Sequence, residues 1–324
     1  MYLRSTALTV VALLAPCCLF AADDNPAYTN AKEAGPDFAV QGEYLGAETG
    51  DANNKWGAQV IALGDGKFDV VGYKGGLPGA GWQRGDESKR GTGELKDGVL
   101  SLKGDDWTAS VKDGVFTVVH EGQTVAELKK IERKSPTLGA QPPQGAIVLF
   151  DGTTAENFEN GQIIEENLLA ASNPVSKLKM GDHTLHLEFR TPFMPKSRGQ
   201  ARGNSGVYPQ GRYEIQILDS FGLEGKNNEC GGIYSISEPA VNMCLPPLSW
   251  QTYDIEFTAA KYDGDKKIAN ARATVKHNGV VIHDNVDLKD GTPGKDQEGP
   301  TKNGLYLQNH GNPAAFRNIW VVEK

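Results

Sequence analysis

Four stretches in the C-terminal half of the chain alternate apolar and polar residues with a period of two. In HTLHLEFR, Leu185, Leu187 and Phe189 fall on one side of an extended chain and His186, Glu188 and Arg190 on the other. The same reading puts Tyr213, Ile215 and Ile217 opposite Arg212, Glu214 and Gln216, and Tyr253, Ile255 and Phe257 opposite Thr252, Asp254 and Glu256. Leu305 and Leu307 likewise alternate with Tyr306, Gln308 and His310. Strands with one apolar and one polar face predict two sheets packed face to face.

The N-terminal half is patterned differently. Between 36 and 133, β-rich runs are broken at Asp65-Gly66, Asp97-Gly98 and Asp113-Gly114, the dipeptides that favour two-residue hairpin turns, so a small all-β domain is expected there. Gly72 to Trp82 carries too many glycines for a regular strand and reads as an exposed loop. KSPTLGAQPPQGA, residues 134–146, lacks periodicity and reads as an extended linker, with the second domain running over 147–324. His277-Asn278-Gly279 reads as a hairpin turn.

Residues 1–22 combine one positive charge, a short apolar run and small residues before Asp23, the pattern of a secretory signal peptide. That implies a periplasmic or extracellular protein, and no later run is long enough for a membrane helix. Cys17 and Cys18 would leave with the signal. Cys230 and Cys244 would remain, as a disulfide that closes a loop of about 15 residues and contributes about 3 kcal/mol, or as two separately buried thiols. A net charge of −8 argues against nucleic acid as a partner.

The polar strand faces carry candidate chemistry. Carboxylates, amides, an arginine, a histidine and tyrosines supply the donors, acceptors and aromatic surfaces that polyhydroxylated ligands need; cross-strand ion pairing, for example Arg190 with Glu214, is the plainer use of the same groups. Paired acid and base groups would serve glycosidic bond cleavage. No HExxH, nucleophile elbow, phosphate loop or dinucleotide fingerprint is present.

The ordered set LFDG (149–152), LHLEFR (185–190), GNSGVY (203–208), GRYEIQILDS (211–220), CGGIY (230–234), WQTYDI (250–255), HNGVVIHDN (277–285) and LQNHGNPAAFRNIW (307–320) resembles the domain of unknown function 1080, the 3-keto-disaccharide hydrolase family. It covers essentially all of 147–324, with Asn309 standing where an aspartate is expected. The resemblance implies a concanavalin A-like jelly-roll β-sandwich, preceded here by the small all-β domain, and a glycoside oxidised at C3 as substrate. A ketone at C3 acidifies the C2 proton; a base removes it, the C1 substituent leaves by β-elimination, and water adds.

On that reading Glu188 or Glu214 is the base and His310 the acid or enolate partner. His186, Arg190, Asn204, Tyr208, Gln216, Asp219, Tyr306 and Gln308 are the substrate-binding candidates. No cofactor is called for, although jelly rolls can carry a structural calcium, for which Asp263, Asp265 and Asp287 are candidates beside the plainer reading of KYDGDKK as a solvated turn. Two other functions fit the sandwich: a non-catalytic carbohydrate-binding module, and an adhesive protein whose N-terminal domain makes the contacts.

Overall fold

The computed structural model describes residues 25–165 and 167–324; the signal-peptide reading of residues 1–22 lies outside them. Eight antiparallel strands between Gly42 and Ile131 wind in sequence order into a closed barrel, with the last strand, Gln123–Ile131, pairing back onto the first, Gly42–Glu48. Asp65, Asp97 and Asp113 and the glycines after them all have positive φ, as the two-residue hairpins require. A six-residue helix, Gly35–Val40, which the alternation did not announce, lies beside one end of the barrel, where the Asp37 carboxylate accepts from the Gly66 amide at 3.1 Å.

After the barrel the chain forms two facing antiparallel sheets, the sandwich expected. The larger contains His183–Arg190, Gln251–Thr258, Ala271–His277, Val280–Leu288 and Ala315–Glu323. The smaller is built round Ser205–Tyr208, flanked by Ile215–Ile217 and Tyr306–Leu307. Leu185, Leu187 and Phe189 of the large sheet share a buried core with Val207, Ile215, Ile217 and Leu307 of the small one. The alternate residues of each strand therefore point away from the core, on opposite sides of the molecule. Asn278 and Gly279 have φ of 50° and 79°, as the predicted turn demands.

Barrel and sandwich are packed together. Phe193 of the sandwich enters the barrel's apolar cluster, Phe221 packs with Ile61, Val71 and Tyr73, and Arg84 donates to the carbonyls of Gly225 and Pro239 at 2.7 and 2.9 Å. Gly72–Trp82 is less exposed than its composition suggested: Gly72 to Lys74 belong to the barrel strand Lys67–Lys74, and Leu77 and Pro78 are buried. Residues 134–140 are likewise more than a spacer. They lie on the outer face of the large sheet, where Ser135 bonds Thr252 at 2.6 Å, Thr137 donates to Asp254 at 2.7 Å and the Gly139 amide donates to Glu188 at 2.6 Å.

Among the described residues no helix is long and apolar enough to cross a membrane. The expected Cys230–Cys244 disulfide is corrected: both are free, buried thiols close enough to hydrogen-bond, and the bond with Cys230 together with burial pushes the Cys244 thiol well above its ordinary range. Asp287 bonds Arg272 and Asn270, and Asp263 and Asp265 flank the hairpin turn at Gly264. No three His, Cys, Asp or Glu groups among the described residues gather as a metal site.

Candidate functional site

Sheet membership separates the two glutamates that the sequence reading grouped together. Glu188 lies on the outer face of the large sheet beneath the 134–140 segment, 1% exposed. Its carboxylate accepts from Arg317 at 2.6 Å, Asn318 at 3.0 Å and the Gly139 amide at 2.6 Å. Burial alone would raise its pKa, but hydrogen bonds from His186, Asn318, Gly139 and Arg317 outweigh it and hold the carboxyl at about 2. His186 is buried beside it, bonded to Asp254 at 2.6 Å and stacked on Trp320 at 5.0 Å. Burial would lower its pKa, yet Asp254 and Glu188 raise it. Arg190 pairs with Glu165 at 2.7 Å and, with Arg317, flanks the Trp250 ring.

Placing Glu188, His186 and Arg190 in the site is therefore corrected: Glu188 and His186 are taken up beneath the segment after the barrel, and Arg190 is paired with Glu165. Asp219 is corrected too. It is buried and held at 2.6 Å by Arg202, whose remaining donors reach the Ala62 carbonyl of the barrel at 3.2 Å.

The outer face of the small sheet collects the others. Tyr208, Gln216, Tyr306 and Gln308 lie on it together with Glu214, because each sits one residue from a core position along the paired strands, and Asn204 is in register with Gly206 and Tyr208. Glu214 is 4% exposed. Burial, only partly offset by a hydrogen bond from Tyr208, pushes its carboxyl up to about 7. Opposite it stands Gly206, where a Cβ would come within 2.5 Å of Glu214 Oε1, so the absent side chain is the space the carboxyl occupies.

Donors converge on this carboxyl. Gln308 Nε2 donates to the Tyr208 hydroxyl at 3.0 Å, and Tyr208 donates onward to Glu214. Gln216, with its amide turned to satisfy its neighbours, donates to Glu214 Oε1 at 2.9 Å. Burial and the nearby Glu214 keep the Tyr208 phenol protonated far above neutral pH. Two buried acceptors on this face, Asn204 Oδ1 and Gln308 Oε1, find no donor among the described residues. An uncommitted buried acceptor is costly unless a ligand or water serves it.

Residues that alternation could not reveal complete the surroundings, from loops and from the short 3-10 turn Gly199–Ala201. Asn173 Oδ1 accepts from the Tyr306 hydroxyl and the Asn309 amide, both at 2.7 Å, tying the 309–312 loop to the edge of the face. His310 is exposed on that loop and is not among the groups bonded to Glu214. Thr292 accepts from the Glu214 amide at 2.8 Å, Gly294 lies against the Tyr208 ring, and Lys295 sits 5.6 Å from the centre of the Tyr306 ring. The Asn204 amide donates to Gln200 Oε1 at 3.1 Å. Loop residues of this sort carry no periodic signal.

The comparisons bear on the same half of the chain. A family model described as a 3-keto-alpha-glucoside-1,2-lyase-like domain matches residues 145–322. A crystal structure of a "putative glycosyl hydrolase" from Parabacteroides distasonis ATCC 8503 is 30% identical, over 56% of this chain and 85% of its own, with a TM-score of 0.51. Another structure of that description from the same organism is 16% identical over 56% of this chain and 94% of its own, with a TM-score of 0.41. No curated protein matches.

Proposed function

The chain belongs to the family of 3-keto-alpha-glucoside-1,2-lyase-like domains, and from that premise we propose that it acts on carbohydrate, cleaving glycosides oxidised at C3, with Glu214 as the base. The observation that carries this reading is the Glu214 carboxyl itself: buried, donor-flanked and brought to about 7, where it can both accept and return a proton near neutrality. Glu214 takes the C2 proton and the C2–H electron pair passes into the C2=C3 enolate; the enolate collapses to the ketone as C1=C2 forms and the C1–O bond breaks, and the departing aglycone oxygen takes up the proton held by Glu214. Once Glu214 is protonated it no longer needs the Tyr208 proton, and that phenol, supported by Gln308, turns to donate to the developing enolate oxygen. Asn204 Oδ1 and Gln308 Oε1 accept from sugar hydroxyls. Water then adds to the unsaturated ring. Export through residues 1–22 belongs to the same reading and is checked by sequencing the N-terminus of the protein recovered outside the cytoplasm.

Matched glucosides, one with a C3 hydroxyl and one with a C3 ketone, test the chemistry. Aglycone release from the keto substrate alone, with kcat/KM falling as pH drops below about 7 and a loss of at least about 100-fold in Glu214→Gln, is expected. Saturable sugar binding with no release from either glucoside would identify a binding module and end the enzymatic reading.

A further inference from the structure

The barrel is not filled along its whole length. Near the helix Gly35–Val40 its inward positions carry Tyr44, Phe68, Leu100 and Val111, and Phe193 of the sandwich packs into the same cluster. Toward the opposite end, paired inward positions carry Gly46, Gly72, Gly91 and Ala126. Trp107 occupies the space over Gly91, and Trp56 lies over Gly72. Between these rings, Phe116 and Val118, a cavity of about 290 Å³ remains, and its wall is mainly apolar.

An eight-stranded barrel is just wide enough for its own side chains to fill it or for one small ligand to enter. Small residues at one end take the second course. The charged groups at this end are engaged: Lys89 is ion-paired with Asp106 at 3.1 Å, and Glu48 accepts from the Trp56 indole at 3.2 Å. They leave the wall between the tryptophans without a strong polar demand. The barrel has no free strand edge, so a peptide could not bind by adding a strand.

We propose that this end of the barrel is a binding site, separate from the Glu214 face, for a flat apolar molecule of about two fused rings. The size follows from volume, since a cavity of about 150 Å³ admits one benzene ring. Trp56 and Trp107 supply the aromatic walls, and the Lys89–Asp106 pair borders the opening.

The probe is 2-naphthol, titrated into the full chain while tryptophan fluorescence and the indole N–H resonances are followed. Saturable quenching with Kd of about 100 µM or tighter is expected. The resonances of Trp56 and Trp107 should move while those of Trp250 and Trp320 stay. Val118→Trp, which places a ring in the cavity, should weaken binding at least tenfold with an unchanged melting transition. The proposal is overturned by the absence of saturable binding, by shifts confined to Trp82, Trp250 or Trp320, or by unaltered affinity in a folded Val118→Trp protein. The wild-type resonances decide the matter even if that variant fails to fold.

Discussion

A carboxyl buried where its proton is held to about pH 7 costs stability whenever it must ionise, and Glu214→Gln measures that cost. In the unfolded chain the group titrates near 4.5, whereas in the folded protein it titrates at about 7. The difference is worth about 3 kcal/mol. The sign follows from linkage: with the folded pKa raised, the wild type has this stability in full below about 4.5 and loses it as pH rises through about 7. Glutamine keeps the shape and can still accept from Tyr208, but it has no charge to desolvate. Glu214→Gln should therefore melt about 5–10 °C higher than wild type at pH 8 and within about 1 °C of it at pH 4. Calorimetry at both pH values, following the sandwich transition, is the assay. An equal gain at both values would trace the effect to packing and not to ionisation, and a loss at pH 8 would refute the account of Glu214 as a destabilised, reaction-ready carboxyl.

The outer face of the large sheet should respond in the opposite sense. Glu188→Ala leaves Arg317, Asn318 and the Gly139 amide without their acceptor and should cost about 3–5 kcal/mol by urea unfolding, with faster proteolysis within 134–146. Because its folded pKa is depressed to about 2, the contribution of Glu188 is present above about 4.5 and fades as pH falls toward 2, so acid unfolding of the variant should lose that dependence. His186, raised above its ordinary value, stabilises below about 6.5, and this stability is lost as pH rises through its folded pKa; His186→Asn should flatten the alkaline side of the profile. In a chain begun at Asp23, two thiols should react with Ellman's reagent in guanidinium and neither in the native protein; a quantitative failure to react in denaturant would show that Cys230 and Cys244 are bridged after all.

What the sequence revealed and what it hid divide along a physical line. Alternation depends on neighbouring residues in one strand, so the two faces of His183–Arg190, Ile215–Ile217 and Gln251–Thr258 were legible, as were the Asp-Gly turns of the barrel. Which strands share a sheet depends on pairings between distant segments: His183–Arg190 lies between Gln251–Thr258 and Ala315–Glu323, whereas Ser205–Tyr208 lies between Ile215–Ile217 and Tyr306–Leu307. No local pattern distinguishes those outcomes, and so Glu188 and Glu214 looked equivalent. The segment 134–146 was legible as irregular chain from its prolines and glycines, but its docking rests on Ser135, Thr137 and Gly139 meeting one particular sheet face.

The two glutamates show why position on a sheet, and not residue type, decides what a carboxyl does. Both are almost fully buried on strand faces that point away from the same core. Glu188 receives a guanidinium, a backbone amide and a side-chain amide, and His186, whose pKa is raised by Asp254 and Glu188 against the lowering effect of burial, stands beside it, so its negative charge is compensated and its proton is lost readily. Glu214 receives neutral donors, Tyr208 and Gln216, opposite a glycine that offers nothing, so desolvation goes largely unanswered and the proton is retained to about pH 7. Supplying Glu214 with a cation, as Glu188 has in Arg317, would stabilise the protein and lower the very basicity that proton abstraction at C2 demands. The proton-transfer role proposed for Glu214 thus depends on the small sheet withholding the partner that the large sheet provides.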